Sequence, residues 1–280
     1  MITTRSFVIG SLFTVTIALV MLGVIMVLSS SFMEPNVYEY MGKQLIWFSV
    51  GLAAMFYFFN IDFNVWEGWS RWILLGTLFL LTLVFFFPEV NGARRWIRFA
   101  GFTFQPFDLA KLAVIFYLSA IWADREDLLD SFKQGVFWPL SIVGFLLFLI
   151  VLEPDHGTTF FIGMISMAIW FIAGGRFRHM VPIFVALVAG VLFALFLKPN
   201  LWVRLDAFLR PELYETTKAY QLKNSLIGFA NGGLWGVGIG EGEQKLGFTP
   251  EPHTDYIFST LGEELGFVKC ALVLGAFACI

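Results

Sequence analysis

The chain has 280 residues, of which 58% are hydrophobic, 18% aromatic and 14% charged, against roughly 25% charged in an average soluble domain. With 34 Phe and a mean hydropathy of +0.78, it has too little polar surface to clothe a water-soluble core. A net charge of −3 excludes a basic field for nucleic acid, and two cysteines, Cys270 and Cys279, exclude a disulfide framework or a cysteine-based zinc site. The composition predicts an all-α polytopic membrane protein.

Uncharged runs mark the spans, because a helix needs about 20 mostly apolar residues to cross the hydrocarbon. The first run is Ser6–Met33, too long and too poor in small residues at its end for a cleaved signal peptide. Gln44–Ile61, Trp72–Pro88, Leu112–Ala123, Gln134–Leu152, His156–Gly175 and Met180–Leu197 follow, giving seven candidate helices. The fourth is long enough only if it starts near Pro106, which brings Asp108 and Lys111 into the membrane. A polar stretch of about 60 residues comes next, longer than ordinary loops and a candidate functional element. An eighth apolar segment opens near Phe267 and runs 14 residues to the last position. It is expected to be a truncated helix, leaving the chain poorly stable and inactive by itself. With the N-terminus inside, the short inner loops hold Arg5, Arg71, Arg125, Lys133, Arg176 and Arg178, and the short outer ones Lys43, Arg94, Arg95 and Arg98. The balance favours an inside N-terminus.

Ionisable residues in or near a membrane are costly and therefore functional candidates. In Asn91–Leu112, the arginines at 94, 95 and 98 either bind an anionic ligand or contact lipid headgroups. Trp96 is an interfacial anchor or a platform for a sugar ring. Pro106 suits a first helical turn. Asp108 and Lys111 then share a face, where they act on a ligand or neutralise one another. In LEPDHGTTF (152–160), a tight turn sets Glu153, Asp155 and His156 at helix ends, with His156 read as a headgroup contact over a metal ligand. In the long loop, Tyr220–Ala230 has helical apolar spacing at Leu222, Leu226, Ile227 and Phe229, and is expected to lie along the membrane surface. The glycines at 232, 233, 236, 238 and 240 lack the GK[ST] ending and βαβ setting of a nucleotide site and read as close-packing positions. Last, Glu241–Phe267 crowds Lys245, Glu251, His253, Asp255, Glu263 and Glu264 at the start of an apolar segment. An aspartate there is expected to be poorly solvated, which suits a general base. The alternative is a salt bridge from Asp255 to Lys245 or to an arginine of the first cluster.

Through GARRWI…FQPFDLAKL, EPDHGT, YQ…SLIGFANGGLWGVGIG and QKLGFTPEPHTDYIFSTLGEELGF, the chain strongly resembles the SEDS family (FtsW, RodA and SpoVE), integral membrane peptidoglycan glycosyltransferases. YQLKNSL and EQKLGF resemble its FtsW branch more than RodA. The resemblance implies ten helices, about seven and a half of them present here, and three regions. Residues 1–197 form a seven-helix transmembrane region, 198–258 a large extracytoplasmic loop with a surface helix and the active-site motif, and 259–280 the start of the eighth helix. It also implies a multi-pass protein of the bacterial cytoplasmic membrane with a cytoplasmic N-terminus. Its activity is polymerisation of lipid II onto an undecaprenyl-diphosphate-linked glycan, in cell division. The implied partners are a class B penicillin-binding protein and other division proteins, not nucleic acid.

Asp255, in HTDY, matches the family's essential acid, and Asp155 matches the acid of the PDxGT motif. Asp108 and Lys111 match the acid and lysine of QPSExxK. Arg94, Arg95, Trp96, Gln105, Gln244, Lys245, Glu251, His253 and Thr254 complete the implied substrate-binding set. Charge on the departing diphosphate would be met by arginine, by lysine or by a divalent cation, magnesium or manganese, for which Asp255 is the candidate ligand. Three positions depart from the family pattern: QPFD stands for QPSE, His156 for an apolar residue, and GEGEQK for GNSxQK, which places Gly242 where a hydroxyl is common. Two rival readings are a flippase for lipid-linked precursors and a non-catalytic division scaffold.

Overall fold

The structure is a computed structural model that describes residues 2–31, 36–89, 92–99, 102–123, 131–197, 199–210, 220–246 and 254–280. It is helical apart from one short hairpin and falls into two compact units, residues 60–199 and residues 1–59 with 200–280.

In the first of these, α3 (Phe63–Leu83), α4 (Pro106–Ala123), α5 (Trp138–Leu152), α6 (His156–Ile172) and α7 (Phe177–Leu197) pack in succession. Asp62 caps α3 by accepting from the Asn64 amide at 2.9 Å, so the helix starts nine residues before the uncharged run and carries Glu67 and Arg71 in its first turns. α4 does start at Pro106, whose missing N–H costs nothing in a first turn. A π-helical turn, Phe132–Phe137, leads into α5. The carbonyl of Gly135 in that turn accepts from the Trp122 indole at 2.9 Å. Trp122 in turn meets Trp170 edge-to-face at 4.9 Å, in a core with Leu81, Leu118, Leu146, Ile150 and Ile162. Between α3 and α4, β1 (Ile97–Phe99) pairs antiparallel with β2 (Phe102–Phe104), Arg98 opposite Thr103. This hairpin falls in a stretch read only for its charges.

The other unit holds α1 (Ile2–Ser30), α2 (Val37–Phe59), α8 (Pro199–Leu209), α9 (Tyr220–Gly232) and α10 (Ile257–Cys279). α1 packs on α2 and on α10, where Met26 meets Leu261, Leu265 and Cys270. α2 begins seven residues earlier than its uncharged run, and Glu39 and Lys43 pair at 2.6 Å on its first turns. The helix expected over 220–230 forms as α9. The face it buries is Asn224, Ser225, Gly228 and Gly232, however, while Leu226 and Ile227 stay exposed. Small residues win that face because they let α9 approach the backbone of α10.

α10 starts at Ile257, ten residues before the apolar segment, and is broken at Gly266 (φ 81°, ψ 173°), a conformation open essentially to glycine alone. The break frees four backbone groups. The Glu263 and Glu264 carbonyls accept from the amides of Val237 and Gly238 at 3.0 Å each, and the amides of Phe267 and Val268 donate to Gly233 and Leu234 at 2.9 and 3.2 Å. The glycine-rich segment thus seats on the bend as a clip that satisfies what the bend exposes. A Cβ on Gly232 would land on the Gly262 carbonyl oxygen, and one on Gly236 on that of Glu264.

Among the described residues five helices are long and apolar enough to cross a membrane: Phe7–Ser30, Val37–Phe59, Phe63–Phe86, Pro106–Ala123 and Phe132–Leu152; the apolar helices His156–Ile172 and Phe177–Gly190 are shorter. Bulky side chains such as Phe7, Trp47, Phe79, Phe145 and Phe193 are exposed along them. In water that surface would be an aggregation site; in lipid it is the solvated one.

Candidate active site

Two sets of candidate residues form, one in each unit. In residues 60–199 the organiser is Arg95. Its Nε donates to the Glu153 carbonyl at 2.9 Å, a terminal nitrogen donates to the Pro154 carbonyl at 2.5 Å, and the other lies 3.9 Å from the Asp155 carboxylate. The guanidinium straps the turn between α5 and α6. Asp155 caps α6, accepting from the Thr158 amide at 3.0 Å and the Thr158 hydroxyl at 2.9 Å, an arrangement that suits a carboxylate at a helix N-terminus. His156 opens that helix. Arg94 is exposed and donates to the Phe85 carbonyl at 3.1 Å. Trp96 is half-buried beside β1, and the Gln105 carbonyl accepts from the Asp108 amide at 3.1 Å as α4 begins.

Asp108 and Lys111 do neutralise one another, at 2.8 Å. The Lys111 ammonium also lies 5.1 Å over the Phe107 ring. The bulky residue that departs from the family pattern therefore forms a cation–π seat for the motif lysine.

Sequence reasoning set Glu153 at a helix end but gave it no role of its own. It is fully buried, and neither carboxylate oxygen has a hydrogen-bond partner. Burial first, then the negative charge of Asp155, push its pKa up to about 8 against the pull of Arg95. The signal was present in the sequence: an acid between an apolar run and a proline, two residues from a second acid.

In the other unit, Lys245 is buried. Its ammonium reaches Glu264 at 2.6 Å, the Ser29 hydroxyl at 2.8 Å and the Gly240 carbonyl at 2.9 Å, while Ser29 donates to Glu264 at 2.6 Å. Lys245 therefore neither pairs with Asp255 nor stands open to a diphosphate; its charge is spent holding the loop to α1 and α10. Glu263 accepts from the Asn231 amide group at 3.2 Å and from the Gln244 backbone at 3.1 Å. Gly242 fits against these two glutamates, since a Cβ would come within 3.0 Å of the Glu263 carboxylate and 3.1 Å of the Glu264 side chain. The glycine in GEGEQK is thus matched to the acids behind it.

Asp255 and Thr254 sit exposed in the turn that leads into α10. The low-polarity setting expected for Asp255 is not supplied by the described residues around it, since the turn that carries it is exposed. Among the described residues, Asp255 is the exposed motif acid that forms no hydrogen bond or ion pair. Tyr256 beside it is pushed up in pKa by burial and by the Asp255 charge. Glu251 and His253 lie outside the described residues. Among the described residues no three acidic, histidine or cysteine side chains converge on a metal position. Among the described residues, a magnesium ion there would be held by Asp255, and such ions commonly keep several waters and bind substrate phosphates.

Fold and residues define a polytopic membrane protein with an unshared carboxylate at the mouth of a broken helix. The family model of FtsW, RodA and SpoVE, described as "Cell cycle protein", matches residues 10–280, and the chain belongs to that family. A Geobacter protein named probable peptidoglycan glycosyltransferase FtsW is 34% identical over 91% of this chain and 72% of its own length. Stage V sporulation protein E of Bacillus subtilis is 33% identical over 94% of this chain and 74% of its own. Among solved structures, a chain from a peptidoglycan synthase complex that coordinates polymerization and crosslinking superposes with a TM-score of 0.72 at 25% identity, covering 95% of this chain and 74% of that one. RodA of Thermus thermophilus shares the fold with a TM-score of 0.65 at 23% identity, over 95% and 70% of the two chains.

Proposed function

We propose that this bacterial multi-pass membrane protein is a peptidoglycan glycosyltransferase that polymerises lipid II, with Asp255 as its general base. Membership of the family and the names of its relatives support the reaction. One observation carries the choice of base. Asp108 is paired with Lys111, Asp155 caps α6, Glu263 is bound by Asn231 and Gln244, and Glu264 is bound by Lys245; Asp255 keeps its lone pairs free and open to solvent.

The Asp255 carboxylate takes the proton of the acceptor sugar's 4-hydroxyl. That oxygen bonds to the anomeric carbon of the lipid-linked donor, the carbon–oxygen bond to phosphate breaks, and the electron pair leaves with undecaprenyl diphosphate. A single base and no covalent intermediate give inversion at the anomeric carbon, by analogy with hydrolases. A bound magnesium or manganese ion, for which Asp255 is the candidate ligand, would supply positive charge to the departing diphosphate.

The site works on the outer face of the cytoplasmic membrane, with the N-terminus inside. Division is the process served, together with a class B penicillin-binding protein that crosslinks the product and with other division proteins.

The test is lipid II polymerisation by the purified full-length protein with its transpeptidase and a supplied divalent cation. One positioned base contributes roughly 10²–10⁴-fold, so Asp255→Ala should insert normally and make almost no glycan. Substantial polymer from Asp255→Ala sinks the assignment of the base. No polymer from folded wild type moves the weight to transport or scaffolding.

A further inference from the structure

A second polar cavity lies within residues 60–199, at the end of α3, α4 and α5 away from the Arg95 strap. Tyr117 sits about 14 Å further along α4 than Asp108, at 1.5 Å per residue, and the other walls come from the starts of α3 and α5. The cavity measures about 720 Å³ and is lined by Arg71, Glu67, Gln134, Tyr117, Trp72 and Trp138, among others. Pockets that hold small amphiphiles typically run to about 300–1,000 Å³.

Two features mark it as built for a ligand. Tyr117 is 5% exposed, its side chain faces the cavity, and its hydroxyl forms no hydrogen bond. Opening onto the cavity, that hydroxyl is free to bond to an occupant's oxygen. Arg71, on the same wall, is exposed and forms no ion pair. Apolar wall comes from Leu75, Ile121 and Ile142. Trp72 and Trp138 are 67% and 55% exposed at the rim, where aromatic rings settle at headgroup depth. Arg71 supplies a single positive charge, which suits a head carrying one negative charge better than a multiply charged diphosphate.

We infer that this cavity binds the phosphodiester headgroup of a membrane glycerophospholipid, the phosphate against Arg71 and a head or glycerol oxygen against the Tyr117 hydroxyl. The inference does not depend on the glycosyltransferase reading. If that reading's orientation holds, the lipid belongs to the inner leaflet.

The experiment is a titration of the full-length protein, purified in a maltoside detergent, followed by native mass spectrometry. The probes are phosphatidylglycerol, phosphatidylethanolamine, diacylglycerol and undecaprenyl diphosphate. A charge-assisted guanidinium–phosphate contact should favour both phosphodiester lipids over diacylglycerol by about tenfold or more. Arg71→Gln should erase that preference, and Tyr117→Phe, which keeps the ring, should weaken it a few-fold. Arg178→Gln, at the start of α7, should leave it intact. Diacylglycerol binding as well as the phosphodiesters, or Arg71→Gln keeping the preference, overturns the site. Tighter binding of undecaprenyl diphosphate than of either phosphodiester overturns the ligand and assigns the cavity to the lipid carrier.

Discussion

Glu153 offers the most direct check on the physics of this fold. Its carboxyl is fully buried without a hydrogen-bond partner, and its pKa stands near 8 in place of 4.5. A carboxylate pKa is more often depressed by folding; here it is raised, so the sign of the linkage reverses. Below pH 4.5 the folded and unfolded chains both hold the proton and the group has no net effect. As the pH rises toward 8 the unfolded chain releases a proton that the folded chain keeps, and stability falls throughout that window. The loss is under about 1 kcal/mol at pH 5, about 3 kcal/mol at pH 7, and levels off above pH 8 near 5 kcal/mol.

Glu153→Gln removes the titration while keeping the shape. Its amide also buries two N–H groups, a pH-independent cost of about 1–3 kcal/mol, so the slope is the diagnostic quantity. Thermal unfolding of wild type and variant in detergent, at half-unit steps from pH 5 to pH 8, should show the variant gaining on wild type by a few kcal/mol across the range. A constant difference between the two would refute the argument, because it would mean that Glu153 is ionised or solvated in the folded protein.

Three further outcomes are expected. Arg95→Lys keeps the charge but cannot donate to two carbonyls and a carboxylate at once; it should lower glycan synthesis at least tenfold and the unfolding temperature as well, read by polymerisation and thermal scans. Lys245→Met and Glu264→Gln should each destabilise, the lysine loss by about 3–5 kcal/mol because it leaves a buried charge unpaired. Combining the two should recover part of that loss in a double-mutant cycle. Gly236→Ala drives a methyl group into the Glu264 carbonyl and should abolish the folded protein, scored as loss of the monodisperse peak in detergent, whereas Gly76→Ala, with open space at that position, should not.

Much of this arrangement was legible in the chain because the membrane enforces simple rules. Uncharged runs located the spans, and Pro106 located the start of α4. Their N-terminal boundaries were misread where a cap or a helical salt bridge carries the helix out past the apolar run, as Asp62 does for α3 and Glu39 with Lys43 for α2. The hairpin at 97–104 was hidden because its period-two alternation, Ile-Arg-Phe and Phe-Thr-Phe about Ala-Gly, is too short to compete with the charge pattern. α9 was found by its apolar spacing, but its buried face was not: backbone approach at Gly228 and Gly232 decides its packing. Pairing was the least legible level. Lys245 lies nineteen residues from Glu264 and over two hundred from Ser29, and no local pattern distinguishes Glu264 from Asp255 as its partner. The freedom of Asp255 is visible only once Asp108, Asp155, Glu263 and Glu264 have been given their partners.

The bend at Gly266 also ties two stretches of chain into one mechanical unit. Without residues 233–238 seated on it, the Phe267 and Val268 amides and the Glu263 and Glu264 carbonyls have only one another to turn to, and the continuous straight helix is the form that joins them. The bend therefore stands only while that segment is seated, and the turn bearing Asp255, at the start of α10, depends on it for its place.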